Sequence, residues 1–461
     1  MSDWKLHTPM GVTDILPEEC TRKKELESTM WSVFSSIGYK EVEIPSFEFY
    51  DCYESSGGEI SQETLYKFFD EQGRILALRP DFTTSIARMA STKLSDSHMP
   101  QRYLYSGNVF RIEQTEGAKR REFTQCGIEL IGSYAPAADA EVIAAAMEAL
   151  LAVGIEDFTI ELGQVAFFNG LVEQAGLDSQ MTESLRERID SKDSVGIKAI
   201  VDSIDMDNSI KSLMIELPYM FGDMRVLEKA YVEGLNETSK LALDNLKRIY
   251  ELLCLYGFEK YISIDLGMLQ SIDYYTGLIF KGYARGLGFP ICGGGRYDNL
   301  TARFGKPAGA VGVAIGINRV LSVLPDEGGA GISSSLIFAE RNAEGLGYDL
   351  AYNLRVNGCL VEYYIGGGDY TDAEKYALET DNSCMLRVFA DGRLMIKDFA
   401  KNEITETSVN EFLGYYAEDD DCGCGHEHHH DHDCDCGHEH HHDHDCDCGH
   451  EHHHSCGCGG H

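Results

Sequence analysis

Four short segments carry side chains whose types and spacing could do chemistry. The first is Leu78-Arg79-Pro80-Asp81-Phe82-Thr83, where an acid placed after a rigid proline at a strand end could hold an ammonium group. The second starts at Phe110-Arg111-Ile112-Glu113, crosses a loop with Lys119, Arg120 and Arg121, and returns through Glu122-Phe123-Thr124-Gln125 to Glu129. Side chains alternate along a strand, so Gln125, Gly127 and Glu129 share one face. Such a hairpin can clamp a phosphate with arginine and a small polar ligand with Gln and Glu. The third is Ile272-Asp273-Tyr274-Tyr275-Thr276-Gly277. The fourth is Cys292-Gly293-Gly294-Gly295-Arg296-Tyr297-Asp298, followed by an apolar run to Asn318-Arg319. Consecutive glycines let a backbone approach a ligand closely. Taken singly, glycine runs are more often turns and a Tyr-Tyr pair is more often core; the joint order of all four segments is what points to a single site.

The elements that must position these segments follow from apolar periodicity. Leu26, Met30, Val33, Phe34 and Ile37 recur at three and four, which predicts a helix over 18–37, and the alternation over 41–45 predicts a strand ended by Pro45. Strand character recurs over 75–78, 102–105, 123–131 and 158–162, and the Ala-rich stretch 138–153 predicts a helix. Strands outnumber helices and their hairpin-like spacing predicts an antiparallel sheet. Residues 170–258 change to charged, helix-forming segments, read as a helical insertion. The sheet pattern resumes over 261–266 and runs through the glycine-rich segments to an apolar helix over 316–324.

Pro325-Asp326-Glu327-Gly328-Gly329 is a linker by composition. Beyond it, strands over 335–338, 360–364 and 385–389 alternate with helices over 347–356 and 372–379, an order that implies a small, mainly parallel sheet. The expected class is therefore α+β. A core over 1–325 contains the insertion, a small α/β domain spans 334–416, and a tail occupies 418–461. That tail repeats Cys-Gly-His-Glu-His-His-His-Asp-His-Asp-Cys-Asp from Cys424 and again from Cys436. It holds no core-forming residue, cannot offset its ordering entropy and is expected to be disordered without metal.

With 461 residues, 43% of them hydrophobic, the chain can bury at least one large core. The formal net charge is -37; leaving out the thirteen acids of 418–461, which has no Lys or Arg, the body still stands at -24. A surface of that sign repels a phosphate polyanion, which argues against a tRNA ligand. No apolar run is long enough to span a membrane, and the expected location is the cytoplasm. Seven cysteines, Cys20, Cys52, Cys126, Cys254, Cys292, Cys359 and Cys384, are scattered through the body without C-x-x-C spacing, as suits reduced, mostly buried thiols.

The joint order of motifs over about 4–325, roughly seventy per cent of the chain, resembles the class II core of histidyl-tRNA synthetases. The opening Gly-x-x-Asp-x-x-Pro, Arg-Pro-acid-x-Thr, Phe-Arg-x-Glu with Arg-x-Phe-x-Gln, Asp-Tyr-Tyr-Thr-Gly, Gly-Gly-Arg-Tyr-Asp and the terminal Gly-x-x-Arg helix are all present. The resemblance implies that Asp81, Gln125, Glu129, Tyr275 and Tyr297 line a histidine-like pocket supported by Thr83 and Asp273, with Arg111 and Arg319 where synthetases hold nucleotide phosphates. One departure is decisive. Synthetases read Leu-Val-Arg-Gly-Leu-Asp-Tyr-Tyr where this chain reads Met268-Leu269-Gln270-Ser271-Ile272-Asp273-Tyr274-Tyr275, so no catalytic residue is expected and Gln270 occupies the lost arginine position. Amino acid activation builds negative charge that a fixed guanidinium offsets; a neutral amide forfeits roughly 3 kcal/mol, about a hundredfold in rate. Asp81 in place of the usual Glu also shortens the reach to an α-amino group.

Those departures, with Arg79-Pro80-Asp81-Phe82-Thr83 and Gly163-Gln164-Val165-Ala166-Phe167-Phe168-Asn169-Gly170, resemble the family of ATP phosphoribosyltransferase regulatory subunits. The resemblance implies a non-catalytic subunit of that glycosyltransferase. It would pair with a short-form catalytic subunit in the first step of histidine biosynthesis, with histidine as effector, self-association to a dimer, no tRNA, no membrane and no required cofactor. The competing expectations are an active histidyl-tRNA synthetase and a metal-storage or metal-sensing protein on the same scaffold. The tail supplies the last. Cys424, His426, His428, Cys434, Cys436, His438, His440, Cys446, Cys448, His450, His452, Cys456 and Cys458 offer thiolate and imidazole ligands for Zn, Ni or Cu.

Overall fold

A computed structural model of the chain describes residues 4–54, 62–94, 97–112, 120–269, 275–325 and 334–417. The chain divides into two compact units, Met1–Gly329 and Ala330–His461.

The first unit is built on a nine-stranded sheet. Its strands run across the sheet in the order Lys40–Glu41, Gln101–Phe110, Glu122–Ile131, Ala310–Gly316, Cys292–Arg296, Leu278–Ala284, Phe158–Gln164, Ile262–Asp265 and Phe221–Gly222. The six central neighbours pair antiparallel, whereas Lys40–Glu41 pairs parallel with Gln101–Phe110 and Ile262–Asp265 parallel with Phe158–Gln164. The sheet is therefore mixed towards its margins, where crossovers rather than hairpins bring strands back. The strand expected over 41–45 shrinks to Lys40–Glu41, because Pro45 has no N–H to give a ladder. The glycine run is a central strand and not a turn: Gly294 faces Val313 and Phe280 in register. A small separate sheet of Phe47–Phe49, Ile75–Leu78 and Lys67–Phe69 lies alongside in sequence.

One layer of helices covers a sheet face. Pro17–Ser36 opens with proline in its first turn, carries Glu18 and Glu19 at the positive end of its dipole, and buries Leu26, Met30 and Phe34. Pro136–Ala152 is Ala-rich, which lets it sit almost wholly buried between Pro17–Ser36 and the long helix Glu237–Leu255. The insertion is mostly helical from Val165–Ala175 to Glu237–Leu255, but the expectation of helices alone is corrected by Phe221–Gly222, which pairs antiparallel with Ile262–Asp265 at the sheet margin. Asp178, Asp193 and Asn236 cap its helices by accepting from the amides of Met181, Gly196 and Ser239.

The second unit holds five strands in the order Leu360–Tyr363, Ser334–Ala339, Cys384–Val388, Arg393–Asp398 and Glu403–Ser408. The first three are parallel and the last two antiparallel. Alternation along Ser334–Ala339 serves both faces: Ile337 packs under Leu350 and Leu354 of Glu344–Val356, while Leu336 and Phe338 pack under Ala373 and Ala377 of Tyr370–Glu379. Sequence reading missed the last two strands: Glu403–Ser408 is mostly exposed and polar, and in Arg393–Asp398 the apolar run Leu394-Met395-Ile396 is too short between charged residues to stand out. Among the described residues no helix is long and apolar enough to cross a membrane. The tail, with every cysteine and histidine named there, lies outside the described residues.

Candidate functional site

Glu129 is the best starting point for the site. It stands on Glu122–Ile131 at 1% exposure, opposite Tyr103 on one side and Gly312 on the other. A side chain at 312 would meet it, since a Cβ built there falls 1.6 Å from Glu129 Oε2, so glycine at 312 is what makes room for the carboxyl group. The Thr83 hydroxyl donates to Oε1 at 2.6 Å and the Tyr297 hydroxyl to Oε2 at 2.5 Å. Burial nevertheless outweighs both donors, with help from nearby Asp81, and pushes the carboxyl up to about 8.

Asp81 follows the strand Ile75–Leu78 and precedes the helix Thr83–Thr92. Its Oδ1 accepts from the Thr84 amide at 3.1 Å, so it caps that helix while bordering the cavity. Burial raises this acid too, opposed by the charge of Arg111. Its neighbour Arg79 has a structural role: Nε donates to Asn108 O and Nη1 to Ile44 O, and the guanidinium lies 4.4 Å from the centre of the Phe82 ring. Phe82 in turn stacks on Tyr105 at 4.3 Å, giving the site a rigid aromatic floor. Gly127 makes room for Tyr105 and the neighbouring strand, because a Cβ there would fall 2.2 Å from Val313 O and 2.4 Å from Tyr105 Oη.

These groups surround one cavity of about 420 Å³. Asp81, Thr83, Gln125 and Glu129 line it; Tyr275, just before the strand Leu278–Ala284, and Tyr297, just after Cys292–Arg296, border it; Arg111 and Arg319 stand on its wall as well. Gln125 Oε1 is buried without a partner, an acceptor held ready. Arg111 Nε donates to Pro80 O at 2.7 Å, and Arg319 Nη1 to Pro290 O at 2.8 Å, so backbone carbonyls fix both guanidiniums. Met268, Ile279 and Phe289 add an apolar surface. Gln270 and Asp273 lie outside the described residues.

Sequence reading missed several of the cavity's supports. Tyr105 shows no motif; its signal was the glycine at 127, paired with it in register. Cys292 also borders the cavity, but burial pushes its thiol up to about 12, which makes it a poor nucleophile. Arg296, the cation within Gly-Gly-Arg-Tyr-Asp, is absent from the wall and pairs with Asp139 and Asp298. The arrangement offers acids and acceptors at one end and anchored cations elsewhere, which suits a small ligand carrying both signs of charge.

Comparison with known proteins agrees with this geometry. A family profile described as histidyl-tRNA synthetase matches residues 11–320. The ATP phosphoribosyltransferase regulatory subunit of Acetivibrio thermocellus is 43% identical over 416 residues, covering 90% of this chain and 100% of its own length. That of Ruminiclostridium cellulolyticum is 38% identical over 416 residues, 90% of this chain and 99% of its own. A crystal structure from Bacillus halodurans, described as an ATP phosphoribosyltransferase regulatory subunit/histidyl-tRNA synthetase, superimposes with a TM-score of 0.74 at 32% identity, covering 83% of this chain and 98% of that one. The histidyl-tRNA synthetase of Nostoc sp. PCC 7120 shares the fold, with a TM-score of 0.73 at 22% identity over 90% of this chain and 99% of that one.

Proposed function

Since this chain belongs to the family of ATP phosphoribosyltransferase regulatory subunits, built on the histidyl-tRNA synthetase fold, we propose that it is the non-catalytic regulatory subunit of that enzyme. The observation that carries this reading is 43% identity running the full length of a relative with that name. It acts in the cytoplasm, with a short-form catalytic subunit, in the first step of histidine biosynthesis. Gln270 supports the absence of aminoacylation: a side chain without charge stands in sequence where adenylate formation needs a permanent cation.

Histidine is the effector and the described cavity is where it binds. Glu129, Asp81 and Gln125 suit a ligand with an ammonium and an imidazole, and the anchored arginines suit its carboxylate. The decisive experiment is co-purification with the short catalytic subunit, followed by phosphoribosyl transfer assayed with and without this chain. A catalytic subunit equally active alone, or histidine-dependent ATP–pyrophosphate exchange by this chain, would overturn the reading. Calorimetry with histidine tests the effector site.

Self-association has its own support. Phe47, Phe49 and Phe68 stand exposed on one face of the small three-stranded sheet, with Phe69 and Ile75 exposed on the other. An uncovered aromatic surface of this kind marks an interface, and a second copy is its occupant. A second reading concerns the tail, which binds Zn, Ni or Cu. Its support is chemical: eight cysteines and fifteen histidines fall within 418–461.

A further inference from the structure

Tyr297 and Tyr275 face the cavity from two different segments, and one polar network holds both from behind. Thr276, next to Tyr275, donates its amide to Arg296 O at 2.7 Å, and its hydroxyl accepts from the Asp298 amide at 3.1 Å. The Arg296 and Asp298 side chains then tie the same segment to two other elements. Arg296 Nη1 donates to Ser133 O at 2.9 Å and to Asp298 Oδ1 at 3.0 Å, and Nε donates to Asp139 Oδ1 at 2.9 Å. Asp298 Oδ1 also accepts from the Ala310 amide at 2.9 Å, while the Tyr297 amide donates to Ala310 O at 2.8 Å. Tyr297 is thus clamped on both sides along the chain, and its own hydroxyl donates to Glu129.

Asp139 is the far end of this network. It sits in the first turn of Pro136–Ala152, where the helix dipole favours a negative charge, and it is wholly buried. Its Oδ2 has no partner. The charged groups facing it are Arg296 and, beyond that, Asp298. Two carboxylates share one guanidinium here, which ties the first turn of Pro136–Ala152 to the Arg296-Tyr297-Asp298 segment.

We propose that Asp139, through Arg296, is a positioning residue for the cavity: it fixes the Arg296-Tyr297-Asp298 segment so that the Tyr297 hydroxyl stays on Glu129 and Tyr275 stays in place. The proposal rests on the cavity being the histidine site. What sets it apart from a purely structural ion pair is its effect on the Tyr297–Glu129 contact, which the pair holds from behind. Burial outweighs the pull of Arg296 and leaves the Asp139 carboxyl at about 6, so the clamp carries full charge above that pH and loses it below.

The test uses the full chain labelled with 13Cζ tyrosine, the Tyr297 signal being assigned with Tyr297→Phe, and compares Asp139→Asn with the unaltered protein. The substituted chain keeps an acceptor for Arg296 but not the charge. Its Tyr297 signal should shift and broaden at neutral pH, and the difference should close below about 6. Histidine affinity by calorimetry should fall about tenfold at neutral pH, the size of one weakened charge-assisted hydrogen bond. Thr276→Val, which cuts the network at another point, gives an independent arm if Asp139→Asn folds poorly. An unchanged Tyr297 signal in both variants overturns the proposal whether or not histidine binds. No heat with histidine in the unaltered protein rejects the cavity as effector site, while the tyrosine signal still judges the clamp. A loss of affinity equal at every pH would assign Asp139 a structural role only.

Discussion

Glu129 binds protons more tightly in the folded chain than in the unfolded one, since its carboxyl moves from an ordinary 4.5 up to about 8. Between those two values the unfolded chain has given up a proton that the fold retains, so stability falls as pH rises through this window and levels off above it. Glu129→Gln removes the penalty, and its thermal midpoint should exceed that of the unaltered protein by roughly 3–8 °C around pH 8 but by little around pH 5. Differential scanning calorimetry across that range checks it; an equal gain at both ends would reject the assignment. The same variant should give no heat with histidine. In the unaltered protein, a cationic ligand entering beside Glu129 should ionise it and release a proton. The binding heat should therefore depend on the ionisation enthalpy of the buffer. Of the residues involved, Asp81, Gln125 and Glu129 were legible from motif order and strand alternation. Arg296 was legible only as part of a motif, because its true partner, Asp139, lies far away in sequence.

Elements were legible where an apolar period was strong and illegible where none was needed. The helices at Pro17–Ser36 and Pro136–Ala152 and the strand Glu122–Ile131 carry enough buried apolar residues that sequence placed each within two residues, whereas the strand expected over 102–105 extends five residues further, to Phe110. The hairpin Arg393–Asp398 with Glu403–Ser408 was missed, since its second strand is mostly exposed and its first has only a short apolar run between charged residues. The glycine strand was read as part of the sheet pattern but without bounds of its own, for a different reason. Its residues have no side chains to form a pattern, yet they sit mid-sheet because the neighbouring strands leave no room: a Cβ at Gly294 would fall 2.1 Å from Gly312 O and 2.6 Å from the Phe280 ring. Gly294→Ala should therefore destabilise the first unit by about 3 kcal/mol or more, read as a lower urea midpoint. A midpoint unchanged within error would mean the strands can spread, contrary to their register.

At the level of the molecule, assembly and metal binding can be read separately. If the aromatic faces of the small sheet join two copies, Phe47→Ser with Phe68→Ser should shift sedimentation from dimer to monomer without loss of secondary structure; a dimer that persists would place the interface elsewhere. The tail should take up Zn, Ni or Cu, with mass spectrometry under native conditions finding metal on the full chain and none after deletion of 418–461. Equal metal content in both would end that reading. What the sequence by itself determined was the set of chemical groups, the order of the motifs and the uncharged Gln270 just before Ser271-Ile272-Asp273-Tyr274-Tyr275, because those are properties of residue type and spacing. Only the tertiary structure decided that Glu129 is held mostly uncharged, that Gly312 makes room for it, and that Arg296 faces Asp139 instead of the cavity. Burial and contact between distant strands set these features, and neither is encoded in any local stretch of the chain.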